Sequence, residues 1–159
     1  MDHDAIAVWV YEHTLFSLHR PPGPMAMLVG FVGTRAVRFV DSSDRVIVGT
    51  PPSESRVELR RGRPAEDTCM ATARALANVA LIFLQDTPPS AKDLDDLAAA
   101  LVMPKAAVLR ALKASGPRIE ELTRIFVLPE EVVRRRMSAL GIRLASGQFP
   151  SVRLLRTAG

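Results

Sequence analysis

Apolar positions recur along the chain in two rhythms. Residues 4–20, "DAIAVWVYEHTLFSLHR", are apolar around most of a helical circumference and predict a helix halted by Pro21 and Pro22. Residues 23–33, "GPMAMLVGFVG", predict a second short helix with Pro24 in its first turn and Gly30 or Gly33 at its end. The rhythm then shortens. "AVRFV" and "RVIVG" are β-rich runs separated by "DSSD", a hairpin signal, and "RVELR" alternates as a strand does after the loop "TPPSES". A small antiparallel sheet of about three strands is the expected result.

Helical spacing returns at residue 64 and persists. "PAEDTCMATARALANVALIFLQD" opens with Pro64 and early acids, which suit a helix N-terminus, and "TPPS" breaks it. Ser90 and Asp93 then offer a capping box for "AKDLDDLAAALVM". Pro104 starts "KAAVLRALKAS", Gly116-Pro117 separates it from "RIEELTRIF", and "VLP" leads into "EEVVRRRMSALG", closed by Gly141. Helices, a sheet and then a run of helices make an α+β protein. Residues 1–104 are expected to form the α+β core, and residues 105–159 a basic helical subdomain with a short β-wing.

Composition supports a folded chain. Its 159 residues are 48% apolar and 24% charged, enough to bury a substantial core. Arg74 and Asn78 interrupt the longest apolar run, so no bilayer span is expected, and the acidic "MDHD" start is unlike a signal peptide. A single Cys69 cannot form an internal disulfide, which points to a reducing cytoplasm and to a small packed hydrophobe rather than a catalytic thiol. Charge is uneven. Residues 105–159 hold eleven Lys or Arg against four Asp or Glu, whereas residues 1–104 hold ten against thirteen. Such asymmetry suits an acidic or polyanionic partner for the C-terminal part, though a solvated basic face produces the same count.

Several chemistries lack their residues. His3, His13 and His19 have no partner at HxxxH or HxH spacing and are expected on the surface or at helix caps. "GFVGTR" lacks the Lys and Ser/Thr pair of a phosphate-binding loop, and no GxSxG nucleophile elbow occurs. Five per cent aromatic content gives no stacking platform for single-stranded nucleic acid. The segment 118–141 has the spacing of a helix-turn-helix, with Arg134, Arg135 and Arg136 midway along the second helix. "RLASGQFPSVRLLR" would follow as a wing bearing Arg143, Arg153 and Arg156. Glu130 and Glu131, however, occupy the N-terminal turn that would approach DNA, so a packed scaffold is favoured over DNA contact there.

Two stretches carry a family likeness. "ATARALANVAL" (71–81) and "LAAALVMP" (97–104), with "ELTRIFVLPEEVVRRRMSALG" downstream, resemble the ImmA/IrrE-type zinc metallopeptidases, a family associated with cleavage of phage and stress repressors. The resemblance extends over roughly residues 22–143. It implies a short sheet ahead of a zinc helix of pattern H-E-L-G/A-H, and a following helix that supplies an acidic ligand and ends in F-A-A-x-L-L-M-P. Under this alignment the two histidines fall on Arg74 and Asn78, and the glutamate falls on Ala75. The third ligand falls in "KDLDD" (92–96), on Asp93 or else on Asp95 or Asp96.

All three signature positions are thus changed. Arg74 repels a zinc ion, Ala75 cannot move a proton, and Asn78 is a poor ligand. The expectation is a pseudo-peptidase without cofactor or catalytic activity: a cytoplasmic regulatory or protein-binding module in bacterial or phage gene regulation. Its expected partner is a repressor or other regulator, with DNA bound by the basic C-terminal half as the alternative. Without a metal, the ligand acid needs another cation. Arg74 is therefore expected to pair with Asp93 or a neighbouring acid, with Asn78 completing the hydrogen bonds. The alternative turns Arg74 to solvent and leaves Asp93 capping its own helix.

Overall fold

A computed structural model describes residues 1–85 and 87–144. Its elements are α1 (His3–Thr14), α2 (Pro24–Val32), β1 (Val37–Val40), β2 (Arg45–Ile47), β3 (Arg56–Arg60), α3 (Ala65–Gln85), α4 (Ala91–Val102), α5 (Lys105–Ser115), α6 (Ile119–Phe126) and α7 (Glu130–Ala139). The protein is α+β, with a helical C-terminal region as the sequence predicts.

Helix boundaries follow local chemistry. Asp2 caps α1 by accepting a bond from the Ala5 amide at 3.1 Å. Ser90 caps α4 through the Asp93 amide at 3.1 Å, while its own hydroxyl donates to the Asp93 carboxylate at 2.6 Å. Half of the expected capping box is formed: the Ser90 side chain caps the helix, but the Asp93 carboxylate engages the Ser90 hydroxyl rather than its amide. The first helix is shorter than expected, ending at Thr14 well before Pro21. Leu15 takes a left-handed conformation, φ 60, and its amide bonds back to the Glu12 and Tyr11 carbonyls. Turning the chain there returns Phe16 and Leu18 to the core and leaves Leu15 91% exposed.

The sheet is mixed rather than antiparallel. Its order is β1-β3-β2, with β3 parallel to β1 and antiparallel to β2. The "DSSD" segment makes no hairpin. It spans two strand spacings, roughly 10 Å, and leaves a slot for β3. Polar groups at that crossing hold β3 in place: the Arg60 amide donates to the Asp44 carboxylate at 2.8 Å and the Arg61 amide to the Val40 carbonyl at 2.9 Å. The β2–β3 connection folds back on itself, and Gly49 near its start lies so close to Glu54 near its end that a Cβ would sit 2.6 Å from the Glu54 carbonyl carbon.

One cluster of buried side chains runs from α1 to α7. α3 packs chiefly on α4 and α2. Small residues on both helices, Ala73, Ala77 and Ala80 on α3 and Ala98, Ala99 and Ala100 on α4, are fully or almost fully buried and allow close backbone approach. α3 is long and apolar enough to cross a membrane by length and composition, yet half of that stretch is buried within this fold. α1 lies across α4, and the Tyr11 hydroxyl donates to the Leu101 carbonyl at 2.7 Å. Burial raises the Tyr11 pKa well above its ordinary value. Trp9 meets Phe31 edge-on at 5.7 Å and stacks over Phe83 at 6.1 Å, fastening α1 to α2 and α3.

Arg136 closes the core and corrects an expectation. The sequence offers it as a contact for DNA or an acidic partner, yet only 5% of its side chain is exposed. Its Nε donates to the Met103 carbonyl at 3.0 Å and its two terminal nitrogens to the Asp4 carboxylate. Helix geometry is the reason. Val132, Val133, Arg136 and Met137 share the face of α7 that packs inward. Asp4→Ala leaves that guanidinium without its counter-charge and should cost about 3 kcal/mol, whereas Arg136→Met, which removes the buried charge itself, should cost under about 1 kcal/mol. Urea denaturation of the two variants checks the ordering, and equal losses would contradict it.

Candidate functional site

Arg74, Ala75 and Asn78, which the resemblance aligns with a zinc motif, line a cleft between sheet and helices. Val46 of β2 and Leu59 of β3 form one wall, and Met70, Ala71, Arg74, Ala75 and Asn78 of α3 form the floor, with Leu94 of α4 at the side. The cleft holds about 400 Å³. Charge sits at its rim, where Arg63 pairs with Asp44 at 2.6 Å and Arg74 with Asp95 at 2.6 Å. The i to i+4 spacing of Arg74 and Asn78 does put both on one face, the one turned to the cleft.

Arg74 thus reaches an acid of "KDLDD", and that acid is Asp95. The Asp93 carboxylate instead accepts from Ser90 and lies 3.2 Å from His3 Nε2 on α1. The ion pair is not the buried one expected, because half of the Arg74 side chain, 53%, is exposed. Asn78 does not complete it either. Its Oδ1 is buried and has no hydrogen-bond partner among the described residues.

The three acids of α4 divide their work among three neighbours. Asp93 faces α1 through His3. Asp95 faces α3 through Arg74 and, at 3.6 Å, α7 through Arg135, while Asp96 lies 3.8 Å from Arg135 and 2.6 Å from Lys92. Such a fan has no vertex at which a cation would meet several ligands. No group of three His, Cys, Asp or Glu able to hold a metal occurs among the described residues. The donor set itself does not fit zinc: a guanidinium and a carboxamide stand at the two imidazole positions, while Asp95 is held by Arg74 and Asp93 by Ser90.

The remaining sequence candidates are scattered. Arg134 pairs with Glu130 one turn back along its own helix, and Arg143 is exposed. Arg153, Arg156 and the expected β-wing lie outside the described residues. The Arg134–Arg136 triplet therefore presents three different environments rather than one basic face. His13 is exposed and its ring lies tilted against Trp9 at 4.0 Å, and His19 is exposed. Cys69 is half-buried, and burial pushes its thiol up to about 11, which keeps it protonated at neutral pH. Sequence reasoning missed the Arg63–Asp44 pair and the role of Asn78 as an orphan acceptor. Nothing in one-dimensional spacing signals either, because both depend on how β2 is laid over α3.

Comparison of the chain with protein-family models and with characterised proteins finds no match. The likeness to ImmA/IrrE-type peptidases rests on the motifs quoted above.

Two outcomes follow for stability. Asn78→Leu removes a buried acceptor that has no donor and should stabilise by about 1 kcal/mol, while Arg74→Ala, trimming a half-exposed pair, should cost less than about 1 kcal/mol. Thermal melts of both variants test this, and a large loss in either would contradict it. A third outcome concerns acid. The Ser90 hydroxyl, and after it His3, hold the Asp93 carboxyl below its ordinary 3.8. A lowered native pKa contributes stability that is present above the unfolded value and lost as pH falls through the native one. Ser90→Ala should therefore lower stability near pH 6 and reduce the further loss on acidification to about pH 2. Circular dichroism followed across that range reads both changes.

Proposed function

We propose that this chain is a zincin-like module without hydrolytic activity that holds a segment of a protein partner in the α3–β2 cleft. The observation that carries the reading is the Arg74–Asp95 bridge at 2.6 Å, which joins the zinc-motif helix to the following helix and leaves the cleft above it open. In the peptidases that the motifs resemble, a metal ion makes that junction. Here a fixed guanidinium charge supports the same helix pairing but supplies neither a Lewis acid nor a bound water.

Two features of the cleft suit an extended peptide. β2 is an outer strand, so its free edge offers backbone donors and acceptors to an added strand. The Asn78 Oδ1 on the floor is a buried acceptor in need of a donor, which a peptide N–H supplies. A regulator in the reducing cytoplasm of a bacterium or phage-infected cell is the partner class that the family resemblance suggests. DNA contact through α7 has less support, because Arg136 is internal and Arg135 is turned onto α4.

Elemental analysis of the gently purified protein is expected to find well under one zinc per chain, and a stoichiometric amount would overturn the non-catalytic half of the proposal. For the binding half, a pull-down from the native host is run with and without nuclease, beside Ala71→Arg, which fills the cleft. A discrete protein band that survives nuclease and disappears with Ala71→Arg is expected. A band indifferent to that substitution would place the partner elsewhere.

A further inference from the structure

The outer face of the sheet carries a charge pattern that the cleft does not use. In β3, Val57 and Leu59 are buried, so Arg56, Glu58 and Arg60 point to the other side. Register extends that alternation to the neighbouring strands. Arg38 of β1 and Arg45 of β2 both lie opposite Glu58, one on each flank. Arg38, Arg45, Arg56 and Arg60 are exposed, and among the described residues none of the four forms an ion pair. Arg35 joins Arg38 and Arg56 in lining a recess of about 320 Å³ at the edge of this face. Five guanidinia against Glu58, with Glu54 at the recess, leave the surface strongly positive.

We propose that this sheet face is a docking surface for the phosphate backbone of duplex DNA. Charge complementarity selects a polyanion, and the shape of the face narrows the choice. Arg38 and Arg45 stand on the two outer strands, roughly 10 Å apart, close to the width of a B-form major groove. Unpaired guanidinia are suited to forked bonds with phosphate oxygens. Phe39 is exposed on β1 but pairs in register with the inward-facing Leu59, so it lies on the other face and this one offers single strands no stacking platform. An apolar anchor, the usual centre of a protein–protein interface, is confined to Val40 and Ile47. The surface reads backbone charge and not sequence.

The test uses the full chain and a labelled duplex of about 20 base pairs, with fluorescence anisotropy measured across a salt series. Four phosphate contacts give a slope of about −3.6 in log affinity against log salt. The combined variant Arg38→Gln, Arg45→Gln, Arg56→Gln and Arg60→Gln is expected to remove about that much of the slope, leaving only what Arg35 contributes, while its circular dichroism spectrum is unchanged. If the combined variant does not fold, Arg38→Gln and Arg45→Gln singly should each flatten the slope by about 0.9. Arg134→Gln, on α7, should leave it unaltered. Absence of duplex binding at low salt, a slope indifferent to these substitutions, or equal affinity for polyglutamate of matched charge would each overturn the proposal. The last result would assign the face to an acidic protein instead. None of these outcomes bears on the α3–β2 cleft, whose test reads a nuclease-resistant protein band.

Discussion

A buried guanidinium holds the two ends of this fold together. Arg136 sits on the last helix of the described chain, its carboxylate partner lies two residues into α1's first turn, and its third bond goes to the carbonyl just after α4. Removing a guanidinium from water is costly, and here three hydrogen bonds and one carboxylate offset the cost. The geometry can form only if α1, α4 and α7 are all in place. The contact therefore makes α7 conditional on α1, though more than a hundred residues separate them. Tyr11 reinforces the same junction by bonding the Leu101 carbonyl. The floor of the cleft depends on this clamp indirectly, because α4, which α1 and α7 hold from one side, supplies Asp95 to Arg74 on the other.

Helices were largely legible in the sequence because their signals are local. Pro24, the Ser90 cap, Gly116 and Gly141 each act within one turn, and α2 to α7 begin and end near where those residues predict. The failures have non-local causes. α1 stops at Thr14 because Phe16 and Leu18 are drawn to a core that other helices provide, a demand that no residue near Thr14 announces. The three strands were visible as alternating runs, but their order was not. Alternation states which face a residue takes and says nothing about which strand lies beside it. "DSSD" resembles a hairpin turn and serves as a bridge over β3.

Charges were harder to read than apolar residues, for a related reason. Within "RRR", spacing alone separates an internal Arg136 from an Arg135 aimed at α4 and an Arg134 paired along its helix, and those three directions are set by the roll of α7. Counting over residues 1–104 gave a slight acidic excess, which concealed the arginines of β1, β2 and β3. Their acidic neighbours in sequence, Asp41 and Asp44, are carried off to the turn, where Asp44 binds Arg63 and the Arg60 amide. Folding thus sorts by face a mixture that is nearly neutral along the chain. For Arg74, the sequence suggested an acid on the next helix and left three choices. The i to i+2 offset between Asp93 and Asp95 turns them toward opposite neighbours, α1 and α3, and so decides among them.

The single tryptophan has a useful position in this arrangement. Trp9 lies on α1 between Phe31 and Phe83, with the His13 ring 4.0 Å away on its own helix. All of the protein's indole emission therefore originates at one seam, where α1 rests on α2 and α3. Light from that seam reports whether the first helix is seated, independently of whether the rest of the chain is folded. Backbone ellipticity, by contrast, is an average dominated by the six other helices. Any separation between the two signals along a denaturation curve would measure how much of the cooperativity of this fold passes through α1.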